Sequence, residues 1–350
     1  MSDRSHKIAV IEGDGIGTEV VGSALKALGF LSEKFGFNLD LKHFPHSGSY
    51  YLESGEVLSD ETVAELRKYD AIFLGAVGHP DVKPGIIEKG MLLKLRFELD
   101  QYINLRPVKL YPGVETPLAG KTSEDLSYVV VRENTGGLYT GVGGFTMKGS
   151  QDEVAIQSMV YNRKQVERCL RYAFELANSR PAKKLALIGK TNVLTYVFDL
   201  WKRVFDELCE EYSEVKGEYY HVDAACMFMV KNPAMFDVMV TTNMFGDIIT
   251  DLGAETQGGM GMAASGNINP EKEAPSMFEP VHGSAPDIAG QNKANPIACI
   301  ISAKMMLDFL GETEAADYLD EAIGKYTSTY ELTLPTTECT EKFMNILSNG

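Results

Sequence analysis

Short apolar runs, each followed by a longer amphipathic stretch, recur from one end of the chain to the other. Lys7–Ile11 (KIAVI), Ala71–Gly75 (AIFLG), Tyr128–Arg132 (YVVVR), Leu185–Ile188 (LALI) and Val238–Thr242 (VMVTT) carry few polar side chains. A strand that is apolar on both faces is buried on both, as a parallel strand is when crossover helices cover it. Helices are expected between these runs at about 18–35, 166–178, 195–212, 296–310 and 314–326. In the second of these, Val166, Cys169, Leu170, Ala173 and Phe174 fall on one face at helical spacing. The pattern predicts an α/β protein, and 350 residues suffice for two packed lobes or one large unit.

Charge and cysteine usage narrow the function. With 33 Lys and Arg against 49 Asp and Glu, the net charge is −16. That argues against nucleic-acid binding, which needs a basic surface to neutralise phosphates. The five cysteines (Cys169, Cys209, Cys226, Cys299, Cys339) are odd in number, dispersed and without a C-x-x-C pair. Neither a zinc ribbon nor a disulfide framework fits them. The N-terminal MSDRSHKIAVIEGDG lacks a long apolar core, and no stretch of ~18 apolar residues exists to span a membrane. A soluble protein of the reducing cytoplasm is expected. GDGIG at 13–17 places its third glycine one position early for G-x-G-x-x-G, so a dinucleotide would need another holding device.

Several segments carry chemistry. Asp247 and Asp251 in NMFGDIITDLG stand four apart, which on a helix puts both carboxylates on one face. Taken alone, that spacing suits a solvated face or capping carboxylates as readily as a hard divalent cation. Asn243 and Gly246 just before the pair, and the apolar strand leading in, place it where open α/β sheets bind ligands. Arg96, expected on a helix, and Arg106 and Arg132, expected at or near strand ends, would together suit a substrate with two carboxylates; singly each also fits a surface ion pair. Tyr139 in TGGLYTG and Lys190 in LALIGKTNV follow apolar strands beside glycines, as an acid and a base or as packing residues. Asp223 in YYHVDAACM is a candidate third metal carboxylate, and His221 reads as structural. Glu279–Asn295, EPVHGSAPDIAGQNKAN, is expected to be a loop able to wrap a nucleotide, with His282 contributing and Asp287 accepting from ribose hydroxyls or serving as a turn residue.

Seven ordered segments make the whole chain resemble the β-decarboxylating dehydrogenases, the family of isocitrate, isopropylmalate, homoisocitrate, tartrate and D-malate dehydrogenases. They are GDGIG at 13–17, LRFELDQYINLRP at 95–107, VRENTGGLYTG at 131–141, GKTNVL at 189–194, HVDA at 221–224, NMFGDIITDLG at 243–253 and EPVHGSAPDIAGQNKANP at 279–296. The resemblance implies a two-domain α/β fold with a central mixed sheet rather than a Rossmann fold. A larger cofactor-binding domain would comprise 1–104 and 258–350, and a substrate, metal and dimerisation domain 105–257, with the chain crossing twice. It implies Mg²⁺ or Mn²⁺ held by Asp247, Asp251 and, from a neighbouring subunit, Asp223; substrate carboxylates on Arg96, Arg106 and Arg132; Lys190 of the second chain as base; and Tyr139 as acid. Such shared sites imply a homodimer. NAD would lie against Glu279, His282, Gly283, Ser284, Ala285, Asp287, Ile288 and Asn295, with Asp287 where NAD-using members carry an aspartate.

The substrate expectation rests on Leu92, four before Arg96, where the resemblance places contact with the substrate's variable group and where isocitrate-oxidising members are polar. With KGMLLKLRFELDQYINLRP and AASGNINP, it points to isopropylmalate, oxidised and decarboxylated to 2-oxoisocaproate in leucine biosynthesis. Tartrate or D-malate is the alternative, since DQYINLRPVKLYPGVETPLAG and RYAFELANSRP are similar to those members too. Two positions depart from common family usage. Lys89 stands where many members have glutamate, and the turn reads Thr135-Gly136-Gly137 where T-E-G is common.

Overall fold

The computed structural model describes residues 4–349. Two compact units emerge: one from the chain up to Gln101, Lys109–Glu124 and Ala254 onward, the other from Tyr102–Val108 and Asp125–Gly253. The expected boundaries at 104 and 257 therefore shift, and the chain passes between units four times rather than twice. The reason lies in Lys109–Glu124. Lys109 pairs with Asp320 at 2.5 Å, the Tyr111 hydroxyl donates to Asp320 at 2.6 Å, and Thr116 donates to the Thr256 carbonyl at 2.7 Å. These contacts hold the segment in the first unit.

In the first unit the strands β1 (Ser5–Gly13), β2 (Asn38–His43), β3 (Ala71–Ala76), β11 (Ala264–Ile268) and β12 (Ser276–Pro280) lie in the order β2-β1-β3-β12-β11. All neighbours are parallel except β11 and β12, which pair antiparallel with Ala264 opposite Pro280. The sheet is mixed, as expected. Period-two alternation divides its core: Ala9, Ile11, Ile72, Leu74 and Met277 join one cluster with Leu66 of helix α3 (Asp60–Leu66) and Leu95 of α4 (Lys94–Glu98). Ile8, Val10, Phe73 and Phe278, fully buried, occupy the alternate positions. Each such large apolar side chain contributes about 1.5–3 kcal/mol by leaving water. Helices α1 (Gly17–Phe35), α9 (Ile297–Leu310), α10 (Thr313–Thr329) and α11 (Thr336–Asn349) pack in the same unit, with the short α2 (Gly48–Ser54). α9 is buried almost all round because the sheet, α1 and α10 all pack on it.

The second unit orders β4 (Ile103–Lys109), β5 (Ser127–Glu133), β10 (Val238–Thr241), β8 (Lys184–Gly189) and β9 (Lys216–His221) as β4-β5-β10-β8-β9. β5, β10, β8 and β9 run parallel. Around them lie α5 (Arg163–Ser179), α6 (Thr195–Glu211), α7 (Val222–Lys231) and α8 (Asn243–Thr256). α5 starts on a capping box between Asn162 and Gln165 and buries the face expected from its spacing, extended by Ala177. A separate antiparallel hairpin, β6 (Gly143–Thr146) and β7 (Val154–Gln157), leaves Phe145 56% and Ile156 55% exposed.

Strands at 38–43, 103–109, 216–221, 264–268 and 276–280 escaped the sequence reading. β2 and β9 are largely unburied, so they lack the doubly apolar signature. Glu279 and Pro280, expected in a loop, end strand β12, where a terminal proline costs no ladder bond. No helix among the described residues is long and apolar enough to cross a membrane.

Candidate active site

In the second unit, five of the expected site residues converge. Arg132, the penultimate residue of β5, is 1% exposed and bonds Asp247 Oδ1 through Nη1 at 2.5 Å. Gly246, one turn into α8, permits this approach: a Cβ there would lie 2.5 Å from Arg132 Cγ. Arg106 stands in the middle of β4 rather than at its end, and its neighbours aim it. Nε donates to Asn104 at 2.7 Å and Nη1 to Thr250 at 2.5 Å, leaving Nη2 3.5 Å from Asp247 and Nη1 3.8 Å from Asp251. The Tyr139 hydroxyl donates to Asp247 Oδ2 at 2.6 Å, and the Arg132 guanidinium lies 5.3 Å from its ring. Two carboxylates of one helical face are thus offset by two arginines. The arrangement can exchange partners: a divalent cation on the carboxylates would release both guanidinium groups to an anion.

Lys190 and Asp223 form a second group. Lys190 follows β8 and donates to Asp223 Oδ1 at 2.6 Å, which draws the Asp223 carboxyl below its usual range. Asp223, on the first turn of α7, keeps a 67% exposed side chain. His221 bonds the Tyr219 hydroxyl at 3.2 Å, in keeping with its structural reading. Within one chain these two do not join the α8 pair, and no three His, Cys, Asp or Glu among the described residues gather as a metal site. One chain therefore offers a hard cation two oxygen donors from α8, and the remainder must come from elsewhere. The all-oxygen, anionic character of the pair fits Mg²⁺ or Mn²⁺.

Sequence reasoning missed the residues behind this site. Asn243 is fully buried at the start of α8 and accepts from Arg132 Nε at 3.0 Å. Glu133, also fully buried, accepts from the Thr135 and Gly136 N–H groups and from the Thr135 hydroxyl, each at 2.8 Å. Burial nonetheless pushes its carboxyl above the ordinary range. Tyr161 packs under the same turn, where a Cβ on Gly136 would meet its ring at 2.5 Å. That contact accounts for glycine where T-E-G is common. The signal available was position: Glu133 ends the buried strand β5, and Asn243 opens the helix that follows buried β10.

In the first unit, Arg96 is buried on α4 with Nη2 3.5 Å from Glu279 Oε1, and Asn267 donates to the same oxygen at 2.7 Å. Leu92 lies in a π-helical turn at Glu88–Leu93 and packs partly on the core. Three N–H groups of the GDGIG turn are spent within the protein. Its Asp14 and Ile16 N–H groups donate to Ala76 and Ser284 carbonyls at 2.7 and 2.9 Å, and that of Gly17 to Asp14 at 2.9 Å. Through Ser284 the turn anchors the segment after β12. A cavity of about 310 Å³ opens beside it, lined by Gly78, His79, Lys83, Glu88, Ser284 and Pro286. His282 Nε2 is buried with no partner among the described residues, and burial lowers its pKa. Asp287 and Gly283 are exposed, Ala285 takes a left-handed backbone (φ 38°) with its carbonyl accepting from the Ile288 N–H, and Asn295 accepts from the first N–H of α9 at 3.0 Å. An orphaned buried nitrogen, an exposed carboxylate and an adjoining cavity fit a dinucleotide.

The family model described as isocitrate/isopropylmalate dehydrogenase matches residues 7–341. A 3-isopropylmalate dehydrogenase of Thermobifida fusca is 55% identical over 325 residues, covering 93% of this chain and 92% of that protein. One of Corynebacterium glutamicum is 48% identical, covering 98% of this chain and all of that one. The crystal structure of isocitrate dehydrogenase from Methylococcus capsulatus superposes with a TM-score of 0.88 at 33% identity, covering 98% of this chain and 99% of that one. With the arginine-flanked carboxylate pair in place and matches running nearly end to end, the chain belongs to the isocitrate/isopropylmalate dehydrogenase family.

Proposed function

We propose that the protein is a 3-isopropylmalate dehydrogenase that uses NAD and Mg²⁺ or Mn²⁺ to oxidise and decarboxylate its substrate to 2-oxoisocaproate. The observation that carries this reading is the Asp247 carboxylate, contacted by Arg132, Arg106 and Tyr139, which supports a cation site beside anion-binding groups and a proton donor. Relatives named for this activity favour isopropylmalate over tartrate or D-malate. The half-buried Leu92 supplies an apolar contact suited to an isopropyl group.

Asp247 and Asp251 would hold the cation, with Asp223 of a second copy completing the set. A bound divalent cation supplies Lewis-acid polarisation of the substrate's hydroxyl oxygen. Arg96, Arg106 and Arg132 bind the carboxylates and orient the hydroxy carbon. Lys190 of the second copy would accept the hydroxyl proton and the Tyr139 hydroxyl would return a proton to carbon after carbon dioxide leaves, while bound NAD would supply the hydride acceptor. Glu279, His282, Gly283, Ser284, Ala285, Asp287, Ile288 and Asn295 would hold NAD. Asp287 would accept from ribose hydroxyls and repel a 2′-phosphate.

A homodimer follows from the same reading. Asp223, Met227 and Val230 share one face of α7, and Met227 is 70% and Val230 49% exposed; Ile248, beside Asp247, is 53% exposed. Such faces suit burial against a second chain in the cytoplasm. The deciding assay follows NADH formation with isopropylmalate, D-malate, tartrate and isocitrate, with and without Mg²⁺ or Mn²⁺. Turnover of D-malate but not isopropylmalate would reject the substrate assignment while leaving the reaction class intact.

A further inference from the structure

We propose that Asn243 is a positioning residue for substrate binding, acting through Arg132; this rests on the reading of Arg132 as a carboxylate-binding arginine. Asn243 joins three pieces of the site. Its Oδ1 accepts from Arg132 Nε at 3.0 Å, its Nδ2 donates to the Gly136 carbonyl at 3.3 Å, and its backbone N–H donates to the Tyr161 hydroxyl at 2.9 Å. On the same turn, the Glu133 oxygens take the Thr135 and Gly136 N–H groups. The turn leading to Tyr139 is therefore held from its N–H side by Glu133 and from a carbonyl by Asn243.

The geometry at Arg132 sets what this network does. A guanidinium is a rigid planar fork, so fixing Nε fixes the plane in which both terminal nitrogens point. Asn243 fixes Nε, and Asp247 receives Nη1. When a cation claims Asp247, Asn243 remains to keep the fork aimed. The side chain is neutral, so it orients Arg132 without competing for its charge as a second carboxylate would. Being fully buried, it also keeps that orientation out of reach of water.

The test compares kinetic constants of the intact enzyme. Asn243→Ala is expected to raise KM for the hydroxy acid by about tenfold or more, the usual cost of losing a charge-assisted hydrogen bond, with KM for NAD within about twofold. In an Arg132→Ala background the same substitution is expected to change KM for the hydroxy acid by less than about twofold. Asn243→Asp keeps the volume and the acceptor but brings the competing carboxylate and loses the donor to the Gly136 carbonyl, so it too is expected to raise that KM by about tenfold, and it carries the test if the alanine variant does not fold. An unchanged KM in Asn243→Ala overturns the proposal. So does an equal rise for both substrates, an equal rise in the Arg132→Ala background, or an unchanged KM in Asn243→Asp. If Arg132→Ala alone leaves KM for the hydroxy acid unchanged, the failure lies in the reading of Arg132, and the proposal falls with it.

Discussion

Asp14 and Asp247 both follow the C-terminal end of a buried parallel strand, and they have opposite fates. Asp14, 4% exposed, accepts from the Gly48, Ser49 and Gly78 N–H groups and from the Ser49 hydroxyl at 2.6–3.2 Å. Three of its four donors are main-chain N–H groups, two at the start of α2 and one after β3, and they cannot leave without unfolding those segments. Asp247 has a 41% exposed side chain, and its partners are side chains: Arg132, Arg106 and Tyr139. Those partners can rotate toward a substrate, so Asp247 can change ligands while the backbone stays put. A carboxylate after a strand is a structural staple or a reactive group according to whether backbone or side chains satisfy it.

The contrast breaks most sharply at Asp247. Asp247→Asn should lower kcat/KM by about 10³-fold, roughly 4 kcal/mol, while Tm moves by only a few degrees. Full activity at limiting metal in that variant would sink the assignment. Asp14→Ala should show the reverse pattern, losing about 3 kcal/mol of stability in urea titrations because several buried donors are left unmatched. Its kcat, assayed under conditions that keep it folded, should change far less than that of Asp247→Asn. Next in size, Gly136→Ala forces a methyl group against the Tyr161 ring at 2.5 Å and should cost about 1–3 kcal/mol, read as a lower Tm.

Glu133 gives the smallest and most specific effect, because it is a backbone-held carboxylate like Asp14 but is buried deeply enough to sit above its ordinary value of 4.5. A carboxyl raised on folding binds its proton more tightly in the native state. Its stabilising contribution is complete below the unfolded value and is lost as pH rises through the native one. The Tm of the parent relative to Glu133→Gln should therefore be highest at acid pH and decline toward neutrality. A difference independent of pH would show that burial does not perturb this group.

The buried strands at 71–76, 127–133, 184–189 and 238–241 and the helices between them were legible because they bury one or both faces and so carry their period openly. β2 and β9 were not, since largely exposed strands leave little hydrophobic signature. The same division holds in the site. Arg132, Tyr139, Lys190 and Asp247 stand out as polar residues beside apolar strands or glycines. Asn243 and Glu133 are as well placed, but Asn243 bonds Arg132 and Gly136 from another element and Glu133 turns back onto its own turn, so position beside a buried strand was their only signal.

By itself the sequence determined the α/β class, the helical pairing of Asp247 with Asp251 and the family resemblance, all of which rest on spacing along one chain. Only the tertiary structure decided that Lys109–Glu124 returns to the first unit and that Arg106 is aimed from mid-strand. It also showed that the carboxylates of α8 are neutralised by arginines from β4 and β5, whereas Asp14 is locked by the start of α2 and the segment after β3. Those outcomes depend on which donors arrive from distant segments, and long-range hydrogen bonds and charge pairs leave no period in the sequence that makes them.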